Sequence, residues 1–242
     1  MTIFDKIFLL GVGFSDVNEH EVLEFIITGL PNQSEKYYVV TPNPELLVIA
    51  NNDSRYRTIL NNAKIALPDG IGVMIASKIM GKPLKERIHG VDLVKMLCRE
   101  VSKKPITVGF LGAGPNVAIK TAKCLREKYP DLKVGFTETE WDFEKKYPAI
   151  DILFVAFGSP KQEIWISENL NVLPAKVVIG VGGAFDFISG KVKRAPVIVR
   201  KIGLEWLFRL IIQPWRIKRQ LKLIQFMHLV AMEKLGIRKS SL

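Results

Sequence analysis

The sequence contains little that would hold a fold together covalently or through a metal. Its 242 residues include two cysteines, Cys98 and Cys124, and neither belongs to a CxxC or Cys/His pattern. This argues against a disulfide framework and a structural zinc site, and it favours a reducing compartment. A protein of this length can bury enough apolar surface to fold without such cross-links.

Long hydrophobic runs are also missing. Residues 1–10 include Asp5 and Lys6 and lack the basic start and small-residue cleavage site of a signal peptide. The longest uncharged stretch, residues 105–119, contains glycines and prolines and is too short to cross a bilayer as a helix. We therefore expect a cytoplasmic protein without a transmembrane helix.

Positive charge is concentrated at one end of the chain. The net charge is +11, and residues 191–242 account for all of it, with thirteen Lys and Arg against two acids. The other 190 residues carry 22 basic and 22 acidic groups. A neutral body with a basic tail predicts an ordinary folded domain joined to a segment that binds anions.

Continuous apolar runs alternate with amphipathic stretches along the body of the chain. We predict strands at residues 37–40, 64–67, 106–111, 132–137, 152–157 and 177–181. This alternation is typical of an α/β fold with a Rossmann-like parallel sheet and helices on both faces. The carboxyl ends of the strands would form one edge, where ligands of such sheets bind.

The composition changes at about Pro196. Leu, Ile, Trp and Phe then interleave with Lys and Arg, and Pro214 is predicted to divide this segment into two helices. We therefore divide the chain into a Rossmann-like domain, residues 1–195, and a basic amphipathic helical appendage, residues 196–242. A packed domain helix and a nucleic-acid-binding segment are alternatives, but a Trp- and Leu-rich face opposite cations favours an anionic membrane surface.

The distinctive polar residues and glycines follow predicted strands. They are Thr41 and Asn43, then Asp69, Gly112 and Gly114, Lys161, Gln162 and Glu163, and Gly183 with Asp186. Each alone is compatible with a turn or a helix cap, but together they predict a shared crevice. The Gly112–Gly114 loop precedes a helix and is suited to a diphosphate, although Val117 replaces the third glycine of a dinucleotide fingerprint.

Asp69 is the best candidate for a general base, because it follows a short apolar strand and precedes Gly70. Arg87 follows Lys82 and Lys85; it could pair with a phosphate or a carboxylate, and a solvated charge run explains it equally well. The sequence has no DxD-type acidic pair. We therefore expect Arg, Lys and backbone dipoles, and no metal or other cofactor, to balance the charge of a diphosphate.

Seven stretches, in order along nearly the whole chain, together form a specific pattern. They are Thr41 to Asn43, Pro68 to Gly70, Glu86 to Asp92, Phe157 to Glu163, Gly180 to Asp186 with Ser189 and Gly190, Arg194 to Pro196, and Gly203 to Trp206. This pattern resembles that of the WecG/TagA/CpsF glycosyltransferases of bacterial surface-polymer synthesis.

The resemblance implies an inverting, metal-independent transfer of N-acetylmannosamine from UDP-N-acetylmannosamine to undecaprenyl-diphosphate-linked N-acetylglucosamine, as in synthesis of the teichoic acid linkage unit. It also implies a peripheral location on the cytoplasmic face of the cell membrane. Asp69 is implied as the base that deprotonates the acceptor hydroxyl. Thr41 and Asn43 would lie beside it in the crevice, and Arg87 and Gln162 would contact the donor or the acceptor, with Arg87 as the second catalytic residue. Arg209, Arg216 and Arg219 would reach the diphosphate.

Other interpretations stay open at this point. Relatives that transfer glucose or a uronic acid of N-acetylmannosamine would show the same residues. A Rossmann enzyme that uses nicotinamide or a methyl donor is an alternative from another class, as is a non-catalytic membrane or nucleic-acid adaptor. The sequence predicts neither the polymer pathway nor whether the protein forms a homo-oligomer.

Overall fold

A computed structural model describes residues 4–32, 35–214 and 217–237 of the chain. The chain forms two compact units. The first comprises Met1–Val17, Pro42–Arg87 and Lys193–Leu242, and the second comprises Asn18–Thr41 and Ile88–Val192. Each unit is therefore assembled from segments that lie far apart in the sequence.

Strands and helices alternate along most of the chain. The strands are β1 (Lys6–Leu9), β2 (Val12–Ser15), β3 (Tyr37–Val40), β4 (Ile65–Ala66), β5 (Thr107–Gly112), β6 (Lys133–Glu138), β7 (Ile150–Ala156) and β8 (Ala175–Gly180). The helices are α1 (Glu19–Gly29), α2 (Pro44–Asn52), α3 (Ser54–Asn62), α4 (Ile71–Ile79), α5 (Gly90–Val101), α6 (Val117–Lys128), α7 (Lys161–Asn169), α8 (Ala184–Ile188), α9 (Val197–Lys201), α10 (Glu205–Ile212) and α11 (Ile217–Lys234). The expected α/β fold is confirmed.

Five of the six strands of the main sheet belong to the second unit. They lie in the order β3-β8-β7-β5-β6, and every neighbouring pair is parallel. Helix α6 packs on β5 and β6, and α7 packs on β3 and β8. Strands β3, β5, β7 and β8 consist largely of apolar residues, as expected for a sheet covered by helices, and the strand positions were predicted to within two residues.

Aromatic packing joins this sheet to α8. The ring of Phe110 in β5 stacks on Phe154 in β7, with centroids 5.5 Å apart, and contacts Phe185 in α8 edge-on at 5.6 Å. All three side chains are fully buried. This packing fixes α8, and the loop that precedes it, against the carboxyl half of the sheet.

The first unit contains a hairpin that was not predicted from the sequence. Strands β1 and β2 pair antiparallel, with Leu9 opposite Val12. The side chain of Asn61 in α3 holds the turn, since its amide nitrogen donates to the carbonyl of Gly11 at 2.9 Å and its oxygen accepts from the backbone nitrogen of Gly13 at 2.9 Å. The two strands have four residues each, and a side chain far away in the sequence holds their turn, so the local residue pattern gives little indication of the hairpin.

The C-terminal helices belong to the first unit. Helix α10 ends before Pro214 and α11 begins after it, as predicted, and α9 is an additional short helix separated from α10 at Gly203, whose φ is +80°. Helix α11 packs on α2 and α4, and Lys222 forms an ion pair with Glu45 at 3.1 Å. One face of the appendage is thus a packed helix face. Among the residues that the structure describes, no helix is both long and apolar enough to span a bilayer.

Candidate active site

Polar residues gather at the carboxyl ends of β3, β5, β7 and β8, which are neighbours in the sheet of the second unit. Thr41 follows β3 and is buried, and its hydroxyl donates to the carbonyl oxygen of Gly180 at 3.4 Å. Gly112 ends β5 and is followed by residues 113–114, and residues 158–163 and 182–186 follow β7 and β8. The carboxyl ends of adjacent parallel strands lie side by side, so these predicted residues share one edge.

Gln162 and Glu163 lie inside this edge, where they are 1% and 0% exposed. Nε2 of Gln162 donates to Oε1 of Glu163 at 2.7 Å, and the hydroxyl of Ser159 donates to the same oxygen at 2.7 Å. Oε1 of Gln162 accepts from the backbone nitrogen of Gly182 at 2.9 Å. Gln162 therefore ties the loop after β7 to the loop after β8, whereas Lys161 is exposed at the start of α7.

The loop after β5 comes close to β7. Gly112 has a φ of +107°, and a Cβ at this position would lie 2.9 Å from the carbonyl carbon of Ala156, so a side chain does not fit. Ala113 and Asn116 also have positive φ values, 64° and 61°. Helix α6 then begins at Val117 without a side-chain cap. A helix N-terminus behind such a loop presents backbone amides to an anion.

Lys191, which was not among the predicted site residues, lies beside this loop. A Cβ on Gly114 would lie 3.0 Å from Nζ of Lys191. The same Nζ lies 3.7 Å from Oδ1 of Asp186, in the first turn of α8, which Gly183 precedes. Lys191 thus places a positive charge where the sequence predicted a diphosphate.

An aromatic cluster near the ends of β6 and β7 was also missed, because its members are scattered along the chain. Trp141 stacks on Tyr147 with centroids 4.1 Å apart and contacts Trp165 edge-on at 6.1 Å. Beside it, Glu138 at the end of β6 hydrogen-bonds Lys145, which raises the pKa of that amine. In dinucleotide enzymes an acid at the corresponding strand end binds the ribose. Here the carboxylate of Glu138 accepts a hydrogen bond from the amine of Lys145.

Asp69 lies in the first unit, half-buried, in the segment between β4 and α4. Its backbone nitrogen donates to the carbonyl of Pro42 at 3.0 Å, which joins this segment to the start of α2. Asn43 is the N-cap of α2, and its side-chain oxygen accepts from the backbone nitrogen of Leu46 at 3.2 Å. Gly70, with a φ of +91°, then turns the chain into α4. Asp69 is therefore held at the junction of two helix N-termini.

Arg87 contacts the appendage within the first unit. Its Nη2 donates to the backbone carbonyl of Arg200, at the end of α9, at 2.9 Å. Nearby in the chain, Nε of Arg194 pairs with Oε1 of Glu205 at 3.2 Å, and both side chains are largely buried. These two contacts hold α9 and the start of α10 in place.

Of the three tail arginines, the structure describes the side chain of Arg209 only. Nε of Arg209 donates to Oε1 of Gln213 at 3.3 Å, within the last turn of α10. Arg216 lies outside the described residues, and for Arg219 the description covers the backbone in α11 but not the side chain. Their proposed contact with a diphosphate remains a prediction.

The parallel sheet, with its glycine loop and polar carboxyl edge, defines an α/β protein of the Rossmann-like class. The chain belongs to the glycosyl transferase WecG/TagA/CpsF family, whose profile matches residues 7–240. It is therefore a glycosyltransferase, and the expected family and enzyme class are confirmed.

Two relatives show how far the similarity extends. The chain is 36% identical over 202 residues, 81% of its own length and 79% of the other, to the N-acetylglucosaminyldiphosphoundecaprenol N-acetyl-beta-D-mannosaminyltransferase of Bacillus spizizenii. It is 33% identical over 243 aligned positions to the protein of the same name from Staphylococcus aureus strain MRSA252, covering 97% of this chain and 96% of that protein.

Proposed function

We propose that this enzyme transfers N-acetylmannosamine from UDP-N-acetylmannosamine to N-acetylglucosaminyl-diphospho-undecaprenol, with inversion at the anomeric carbon. The observation that carries the proposal is the similarity over nearly the whole chain to relatives whose names state this sugar and this acceptor. The product would be a lipid-linked disaccharide for a cell-wall polymer.

The donor diphosphate is assigned to the loop at Gly112 and Gly114. Lys191 is the cation beside this loop, and Asp186 keeps its amine in place. Backbone amides at the start of α6 and the Lys191 ammonium together supply the positive potential that a leaving UDP requires. Arg209, Arg216 and Arg219 are proposed to add to this stabilisation in the transition state. No metal or other cofactor is part of the proposed reaction.

Asp69 is proposed as the general base. In the transfer step the acceptor hydroxyl oxygen attacks the anomeric carbon, its proton passes to the Asp69 carboxylate, and the bond from that carbon to the UDP oxygen breaks. UDP leaves with the bonding electron pair. The hydrogen bond from the Asp69 nitrogen to Pro42 fixes the segment that carries the carboxylate. A fixed carboxylate loses less entropy when it accepts the proton.

The other predicted residues receive positioning or binding roles. Gln162 and Glu163 hold the loops after β7 and β8 together, and Thr41 and Asn43 fix the chain on either side of Pro42. Arg87 is proposed to reach the substrate as well as Arg200, since a guanidinium has five N–H donors and this contact uses one.

The appendage is proposed to bind the inner face of the cell membrane, where the lipid acceptor lies. Exposed apolar residues of α9 to α11 accompany the thirteen cations of residues 191–242. A surface of this composition fits an anionic bilayer better than nucleic acid.

The decisive test is transfer of radiolabelled sugar to a lipid-diphosphate-N-acetylglucosamine analogue, measured across a panel of UDP-sugars. We expect UDP-N-acetylmannosamine to give the highest kcat/KM and the product to be β-linked. Preference for UDP-glucose or for the uronic acid donor would change the proposed donor sugar but not the proposed reaction class. Absence of transfer from every UDP-sugar would overturn the proposal.

A further inference from the structure

Helix α4 has apolar side chains on an exposed face as well as on its buried face. Ile71, Ile75 and Ile79 are spaced four residues apart and so lie along one side of the helix, over about 12 Å. Ile75 is 43% exposed and Ile79 is 38% exposed, whereas Val73 and Ala76 on the other side are fully buried. We call Ile71, Ile75 and Ile79 the α4 stripe.

The α4 stripe begins where the appendage touches it. A Cβ on Gly203, between α9 and α10, would lie 2.8 Å from Cγ1 of Ile71, so the appendage backbone rests on the first residue of the stripe. On either side of this glycine, Ile202 is 61% exposed and Leu204 is 37% exposed. The exposed apolar surface of the appendage therefore continues onto α4, outside residues 196–242.

Positive charge accompanies the stripe. Residues 70–87 contain Lys78, Lys82, Lys85 and Arg87 against the single acid Glu86. The side chains of Lys78 and Lys82 are exposed at the end of α4 and just after it. Exposed isoleucines beside lysines form the composition of a helix that lies in a membrane interface. Residues 1–190 are neutral as a whole, but residues 70–87 carry a net positive charge.

We propose that the α4 stripe is part of the membrane-binding surface, in contact with the hydrocarbon boundary of an anionic bilayer. Ile75 and Ile79 are exposed along one side of a helix, which fits contact with an extended lipid surface. The inference rests on the membrane binding proposed for the appendage, and its consequence for catalysis rests on the proposed reaction. Asp69 lies two residues before Ile71, so contact of the stripe with the bilayer keeps the general base near the headgroups, where the diphosphate of a lipid acceptor lies.

The test compares Ile75→Glu with a matched control, Val172→Glu, which adds the same charge at a position 66% exposed in the second unit. Binding is measured by co-sedimentation with phosphatidylglycerol–phosphatidylcholine vesicles that contain no acceptor. We expect Ile75→Glu to lower the partition coefficient at least about fivefold, because an anion replaces an apolar contact at an anionic surface. Val172→Glu and Ile75→Leu should bind like the unaltered protein.

A second measurement separates the membrane contact from the chemistry. With a short-chain, water-soluble acceptor in the absence of vesicles, Ile75→Glu should retain its kcat and KM. With undecaprenyl-linked acceptor in vesicles, its rate should fall in parallel with binding. Normal vesicle binding by Ile75→Glu would overturn the inference. This holds even if the KM for long-chain acceptors rises, because the stripe would then contact the polyprenyl chain and not the bilayer.

Failure of the proposed function gives a different result. If the protein transferred no sugar to any acceptor while Ile75→Glu still lost vesicle binding, the surface assignment would stand without the reaction. Circular dichroism and thermal unfolding of each variant show whether a change in binding comes from a change in fold.

Discussion

The ammonium of Lys191 lies 3.7 Å from the carboxylate of Asp186. Both residues follow β8, yet the amine also lies beside Gly114, which follows β5. Asp186 helps to position the Lys191 ammonium beside the glycine loop. The negative charge of Asp186 also lowers the net charge of the site. In the proposed reaction, Lys191 is the residue of this pair that contacts an anionic group of the donor.

We expect Lys191→Ala to raise the KM for the UDP-sugar about 10- to 100-fold, because a hydrogen bond to a charged group contributes about 1.5–3 kcal/mol. Steady-state kinetics with varied donor would measure this. Lys128→Ala, an exposed lysine at the other end of α6, is the control and should leave KM unchanged. Equal donor KM values for both variants would remove Lys191 from the donor site.

We expect Asp69→Asn to lower kcat at least about a hundredfold, the lower end of the contribution of a positioned general base. The amide keeps the shape of the side chain, so the KM for the donor should change little. Asp131→Asn, an exposed acid in the second unit, is the control. A variant at Asp69 with near-normal kcat would show that the base lies elsewhere.

Transfer should not depend on a divalent metal ion. The sequence has no DxD pair, and Lys191 supplies positive charge beside the predicted diphosphate loop. Activity in EDTA should stay within about twofold of the untreated enzyme, as for charge stabilisation by side chains and backbone dipoles. Loss of activity on chelation, with recovery on addition of Mg²⁺ or Mn²⁺, would contradict this prediction.

The arginines of the appendage should affect catalysis more than membrane binding. Replacing Arg209, Arg216 and Arg219 with Ala should reduce transfer at least about a hundredfold, by loss of charge stabilisation at the leaving group. Vesicle binding should persist, since ten of the thirteen cations in residues 191–242 remain. The control removes the same charge at Lys193, Lys234 and Lys239. If both triple variants lost activity equally, total charge and not position would explain the effect.

Helix α11 should contribute strongly to stability. Phe226 is 0% exposed where α11 packs on α2 and α4. Phe226→Ala should lower the free energy of unfolding by about 3–5 kcal/mol, the usual loss for a buried phenylalanine. Leu221→Ala, at a position 58% exposed in the same helix, should change it by less than about 0.5 kcal/mol. Urea denaturation would measure both, and equal values would show that this face of α11 is not packed in solution.

The fold class and most of the secondary structure could be predicted from local residue patterns. Buried parallel strands are mostly apolar along their length, so the strands around Phe110 and Phe154 were visible as nearly continuous apolar runs. Pro214 was correctly predicted to separate two helices, because proline disrupts the helical hydrogen-bond pattern. The glycines and polar residues after these strands could be picked out because they directly follow apolar runs. The motifs correctly indicated the family.

Which of these residues contact one another depends on how the whole chain packs. The hydroxyl of Thr41 bonds to Gly180 across 139 residues because β3 and β8 are neighbours, and lateral strand order leaves no trace in local periodicity. The same holds for Lys191 beside Gly114 and for Phe226 of α11 against α2 and α4. A pattern of apolar and polar residues shows that a segment has a buried face. The partner that covers this face is set by the free energy of packing the whole chain.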